Sequence, residues 1–414
     1  LGNALFKKLW VSSPSSTLAS DGLGPLYNAR SCQRCHLKDG RGHPPQNASD
    51  SSVSLVVKIA APISEVQLST EIIDYLSAVS EPNYGTQIQD FSIIGHSAEA
   101  KVEVTYDEFK IELSDGQNVW LRKPSYTLNK MAYGPLKKGT SISPRIAPQM
   151  IGLGLLNAIP DSDILLKADP NDLDGDGITG RANIVWSEIY QKPMLGRFGH
   201  KATSPNILEQ SAGAFFNDIG ISSTLLPDGH GDCTKSQKKC REAPHGNTGL
   251  KDIAEISNVG LDLVRFYASN LAVPERRNID HPGVLKGKQV FYQTGCTSCH
   301  TPKFVTHRLE NQPEQSFQLI WPYSDMLLHD MGEGLADKMQ DHLASGREWR
   351  TAPLWGIGLT EKVSGHTYFL HDGRARSLLE AIIWHGGEAQ KHRDEVINMS
   401  AENREALLRF LESL

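Results

Sequence analysis

The chain has no run of eighteen apolar residues, so no stretch of it reads as a membrane span. It has no surplus of basic charge. With 48 acidic against 42 basic side chains its net charge is −6, which gives no electrostatic case for binding nucleic acid. Its first residues, Leu1-Gly2-Asn3-Ala4-Leu5-Phe6, lack the basic region, hydrophobic segment and cleavage site of a leader. The chain is therefore read either as cytoplasmic or as one whose leader has been removed. Cysteine is scarce, six in 414 residues, and that scarcity makes each position informative. Apolar residues are in ordinary supply at 39%, so a packed interior is expected rather than disorder.

Four of the six cysteines stand in two Cys-x-x-Cys-His motifs, Cys32-Gln33-Arg34-Cys35-His36 and Cys296-Thr297-Ser298-Cys299-His300. Two sulfurs three apart on a helical turn reach both vinyl groups of one haem, and the adjacent histidine supplies an axial ligand to its iron. Two other readings compete. The four cysteines could assemble one zinc site, or either pair could be a redox dithiol, but neither chemistry needs a histidine after the second cysteine. Cys233 and Cys240 lie in a polar, lysine-rich stretch taken as an exposed loop, and there they read as a disulfide. Disulfides and attached haem both point to an oxidising compartment outside the cytoplasm, so the chain is expected to be exported and periplasmic.

The length fits two domains. The expected division is 1–273 and 274–414, with a small β-containing insertion at about 50–128 in an otherwise helical first domain. Residues 53–66 and 100–126 alternate apolar and polar side chains as half-buried strands do, and Asp115-Gly116 marks a hairpin turn. An amphipathic helix is expected over 252–271, with Ile256, Val259, Leu263, Phe266 and Leu271 along one side. A last helix closes the chain near 400–413.

A sixth ligand decides whether a haem shuttles electrons or binds small molecules. His385 is the leading candidate, on a helix face with Leu378 and Ile382; the competing reading is a core histidine near a helix end. Met326, Met331, His329 and His371 are lesser candidates. A faint repeat relates two halves: Arg145-Ile146-Ala147-Pro148 echoes Arg350-Thr351-Ala352-Pro353, and His200 loosely matches His371. On that correspondence Ala214 stands where His385 stands, and alanine cannot bind iron. The first haem would then have an open face with Gln210, Asp218 and His200 around it, a carboxylate there serving as proton donor and acceptor for peroxide. Gln210 and Asp218 are equally readable as surface or cap residues of a helix. Asp172, Asp174 and Asp176 alternate as in the first half of a calcium loop, though Asn183 stands where an EF-hand has glutamate. Trp120, Trp186, Trp349, Trp355 and Trp384 are candidate electron relays or core residues.

The two haem motifs resemble the bacterial di-haem cytochrome c peroxidase superfamily, which includes the enzyme that matures tryptophan tryptophylquinone. So do Asp174-Gly175-Asp176-Gly177, Ser345-Gly346-Arg347-Glu348-Trp349-Arg350-Thr351-Ala352-Pro353 and Tyr368-Phe369-Leu370-His371-Asp372-Gly373-Arg374. The best match is its di-haem oxidoreductase branch, over nearly the whole chain. The resemblance implies a mainly α fold of two cytochrome c-like domains, two covalent haem c groups and a calcium ion near their interface. It implies a peroxidatic N-terminal haem and an electron-transferring C-terminal haem whose sixth ligand is the residue matching His385, here making a bis-histidine iron. Gln210 and Asp218 match the catalytic glutamine and glutamate, and His200 matches the tryptophan between the haems. Hydrogen peroxide is the implied substrate, with a small cytochrome or cupredoxin as donor. A maturation enzyme oxidising a partner protein, or a plain electron carrier, are the alternatives.

Overall fold

The computed structural model describes residues 1–46, 50, 54–62, 78–247 and 254–414. Two pairs of crossed helices carry the two Cys-x-x-Cys-His motifs. Gly2–Lys7 lies on Asn258–Ser269, and Pro282–Gln293 lies on Ala401–Ser413. A glycine permits each crossing. A β-carbon on Gly2 would sit 2.1 Å from the Leu263 carbonyl oxygen, and one on Gly287 would sit 1.8 Å from that of Ala406. Four residues further on, Phe6 packs on Tyr267 and Phe291 on Phe410, both with centroids 5.2 Å apart at 54°. The same two phenylalanines face the motif histidines, His36 at 6.2 Å and His300 at 6.3 Å. Gly287→Ala should overpack its crossing and cost about 1–3 kcal/mol. A thermal-unfolding midpoint equal to that of the parent would show that the helices do not meet there.

The helix expected over 252–271 begins at Asn258, capped by the Ser257 side chain; residues 252 and 253 lie outside the described residues. Its buried side is Leu261, Val264 and Ala268, whereas Val259 and Phe266 are exposed. Contact with the Gly2–Lys7 helix, which the periodicity could not reveal, selects the other face.

The expectation of a mainly α chain is wrong. Helix accounts for 28% and strand for 19% of it, with several small sheets. The alternating segments form real ladders, and many of the helices between the motifs are only a turn or so long. Lys101–Glu112 and Asn118–Asn129 pair along their whole length across the Asp115-Gly116 turn. This hairpin lies across the second half as an arm. Arg122 donates to the carbonyls of Gly373 and Arg374, and Leu113 and Leu121 pack with Leu335, Ile383 and Trp384. Arg404 pairs with Asp115 at its tip.

The rest of the insertion forms a three-stranded antiparallel sheet in which Leu55–Ala60 runs between Gln87–Ile88 and Ser141–Ile146. Of the strand expected within 53–66, residues 53 and 63–66 lie outside the described residues. Val57, Ile59 and Ile88 bury one face with Tyr84. Val56, Lys58, Gln87 and Arg145 line an internal cavity rather than the outer surface. Cys233 and Cys240 are joined in a disulfide. Both are buried, packing with Leu26 and Tyr133, and not exposed as the lysine-rich sequence around them implies. Among the described residues no helix is long and apolar enough to cross a membrane.

Candidate functional site

Cys32–Cys35 forms a single helical turn whose end turns His36 into a cavity of about 530 Å³. The His36 Nδ1–H donates to the Pro148 carbonyl at 2.8 Å, which fixes the ring and leaves Nε2 as the nitrogen with a free lone pair. Burial pushes the Cys32 thiol up to about 12 and also raises Cys35 well above the ordinary thiol value, with the Asp218 charge adding to both. Burial likewise raises Cys296 to about 12 and also raises Cys299. Neither pair is therefore poised as the thiolate that a reactive dithiol needs. Among the described residues the four cysteines do not converge into one metal-ligand set, which argues against a shared zinc site.

The cavity wall carries all three residues taken from the sequence as candidates for the chemistry, Gln210, Asp218 and His200, together with Ala214. Ala214 ends the helix Ile207–Ala214, and Asp218 lies in the π-helical turn Phe215–Ile219 that follows. Turns of this kind gather at functional sites. The Asp218 carbonyl accepts the amides of Asn28 and Ala29, tying the turn to the segment that leads into Cys32. Gln87 donates Nε2–H to Asp218 Oδ1 at 2.8 Å, and Oδ2 has no partner among the described residues. Burial raises the Asp218 pKa, while the Gln87 bond and the Lys58 charge oppose that rise. His200 donates Nε2–H to the Ile146 carbonyl at 2.8 Å. Burial first, then Arg145, Arg41 and Arg350, push it down to about 3, so it is a neutral imidazole. His43 and His96, the other histidines near the first motif in sequence, are not on the wall.

The second motif shares this frame but not its far side. His300 donates Nδ1–H to the Tyr323 carbonyl at 2.9 Å. His385 donates Nδ1–H to the Ala381 carbonyl at 2.7 Å, so its Nε2 also keeps a free lone pair. Burial lowers the His300 pKa to about 4, and the His385 charge adds to the fall. His329 is committed on both nitrogens, to Asp325 and Glu388 at 2.8 Å each. Met326 Sδ lies 3.6 Å from an Arg350 nitrogen.

The faint repeat has a clear geometric counterpart. Phe198 bridges Ser204, as Phe369 bridges Ala375. Two residues later the side chains of Asn206 and Ser377 cap helices by accepting the amides of Glu209 and Glu380. Eight residues after the caps stand Ala214 and His385. His200 and His371 take equivalent places, and their carbonyls accept the amides of Arg350 and Ile146 across the seam between the halves. Trp349 lies in that seam, stacked on His371 at 3.7 Å and edge-on to His200 at 6.5 Å. Trp355 and Trp384 are buried, whereas Trp120 and Trp186 are exposed.

Of the acidic loop, Asp169, Asp172 and Asp174 bring carboxylate oxygens within 4.8 Å of one another. Asp176 is not in that group; its Oδ1 accepts the Ile178 amide. Sequence reasoning missed Lys58, Gln87, Arg41, Arg145 and Arg350 as wall residues. For two of them a signal was present, since Arg145 and Arg350 open the repeated Arg-x-Ala-Pro segment.

The family model described as di-haem oxidoreductase, putative peroxidase, matches residues 1–414. No curated protein matches. Among solved structures a Kuenenia stuttgartiensis hydrazine synthase is similar at 18% identity with a TM-score of 0.24, too weak a likeness to build on. The match covers 39% of this chain and 57% of that one.

Proposed function

The chain belongs to the di-haem oxidoreductase family, and on that premise we propose that it is a periplasmic c-type enzyme that reduces hydrogen peroxide at its first haem site. The second site would exchange electrons with a small cytochrome or cupredoxin. One observation carries the reading: matched caps give His385 in the second half the position that Ala214 takes on the wall of the His36 cavity. One iron would thereby have two imidazoles and the other one. The division into haem-bearing halves at about 274 belongs to the same reading.

The residues fit the group. The cavity is of cofactor size, two cysteines and a histidine with a free Nε2 stand on its wall, and buried Arg145 Nη2 has no partner there. When bound, haem supplies a redox-active iron, which no side chain can. Cys32 and Cys35 would tether it and His36 would hold the iron; Cys296, Cys299, His300 and His385 would do the same in the second half. Asp218 would move the proton, taking it on Oδ2 from peroxide and returning it to the leaving oxygen. Gln87 keeps that carboxylate in place, Gln210 orients peroxide, and neutral His200 links the site to the seam. The Cys233–Cys240 disulfide supports an exported protein. A Ca²⁺ ion on Asp169, Asp172 and Asp174 belongs to the proposal, and would order a loop whose Thr179 is bonded to Glu388.

Cyanide or peroxide added to the oxidised protein should shift the absorption of one haem and leave the other unchanged. Two low-spin haems inert to both reagents would make the protein an electron carrier. Peroxide turnover driven by a reduced cytochrome then separates a peroxidase from an enzyme that oxidises a partner protein. Asp218→Asn should slow the reaction with peroxide by ~10²-fold or more while both haems stay attached. Equal rates would place the proton donor elsewhere.

A further inference from the structure

Three arginines from separate stretches converge on the His36 cavity. Arg41 follows the first motif, Arg145 belongs to the strand Ser141–Ile146, and Arg350 comes from the strand Glu348–Arg350 of the other half. Among the described residues the only carboxylate in an ion pair with any of them is Asp341, 3.1 Å from Arg145 Nη1. Arg350 spends Nε and Nη1 on the carbonyls of Gly199 and Thr351. Among the described residues buried Arg41 Nε and Arg145 Nη2 have no hydrogen-bond partner, and Arg145 is 4% exposed. Asp337, the next carboxylate, is taken by Lys201. Among the described residues Arg41 and Arg350 thus have no ion-pair partner on the cavity wall, where an uncompensated guanidinium is disfavoured.

We propose that Arg41, Arg145 and Arg350 form a clasp for two carboxylates on one ligand, the propionates of the porphyrin held at Cys32, Cys35 and His36. This rests on the haem reading of that site. Charge and shape agree with it. Guanidinium is the group best matched to carboxylate, and of the three guanidiniums Asp341 pairs with one, leaving two for two propionates. The two sides of the cavity also differ in the required way. The Asp218 carbonyl is bonded to Asn28 and Ala29, which lead into Cys32, whereas Arg350 Nε donates to the carbonyl of Gly199, and the neighbouring His200 donates to that of Ile146, next to Arg145. On a c-type haem the thioether edge and the propionate edge are opposite. Because Arg350 comes from the second half, that half completes the first haem's pocket.

The test is potentiometric titration of the holoprotein, following the N-terminal haem. Removing a cation beside the propionates favours the ferric state, so Arg350→Gln should shift that haem's midpoint downward and leave the C-terminal haem where it was. Arg350→Lys should restore most of the shift. Arg41→Gln gives the same readout from the first half, should Arg350→Gln fail to accumulate. Midpoints unchanged in the glutamine variants, with haem still attached, would overturn the clasp. Absence of haem at Cys32 and Cys35 in the parent protein, read by mass spectrometry of the peptide, would instead overturn the haem reading.

Discussion

Replacing His385 by alanine is expected to abolish the low-spin signal of the C-terminal haem and leave the N-terminal haem's spectrum unchanged. The expectation rests on how the ring is held. Its Nδ1–H is fixed to the Ala381 carbonyl one turn back, which directs Nε2 away from the helix, and its charge acts on His300. Three of the lesser candidates are already engaged. His329 would have to leave both Asp325 and Glu388, and a buried histidine between two carboxylates is held strongly as the cation, which cannot bind iron. His371 is packed flat against Trp349, and Met326 lies against Arg350. Electron paramagnetic resonance separates the outcomes. A low-spin C-terminal signal persisting in the variant would assign the sixth ligand to another residue.

The parts of this site that the sequence disclosed are the ones held by local chemistry. Two cysteines, a histidine and a helical turn are written in five consecutive residues. The period-2 alternation of Leu55–Ala60 is equally local, and so are the caps at Asn206 and Ser377, whose side chains bind amides three residues on. What stayed hidden depends on contacts between distant segments. The alternation predicts a polar face but not that this face, through Lys58, Gln87 and Arg145, lines a cavity. The hairpin was legible as a hairpin; its docking on the second half rests on Arg122 and Arg376 meeting partners about 250 residues away in sequence, among them Trp120 bound by Arg376 at |i−j| = 256. The matching helix crossings were masked by loop length. Phe291 is five residues from Cys296, but Phe6 is separated from Cys32 by a long excursion holding three short strands. In the acidic loop, Asp169 joins Asp172 and Asp174 because the chain folds back there, a closure that alternate spacing alone does not encode.

Ala214→His tests the inequality of the two halves from the opposite direction, by giving the first site what the second already has. Ala214 has helical backbone angles, φ −67° and ψ −40°, so an imidazole is accommodated without backbone strain. The carbonyl four residues back, that of Gln210, is placed to accept its Nδ1–H as the Ala381 carbonyl accepts that of His385. The cavity of about 530 Å³ lies beside this position. The variant should therefore have two low-spin haems, and cyanide should no longer shift either spectrum. Peroxide reactivity should fall by about 100-fold or more, the factor expected if the introduced imidazole leaves the iron open about 1% of the time. The effect differs in kind from that of Asp218→Asn, which removes a proton carrier and leaves the spin state alone. If Ala214→His kept a high-spin haem and full reactivity, the chain at 214 would not face the iron. The open coordination position would then lie elsewhere on the wall, and the match between Ala214 and His385 would be one of backbone only.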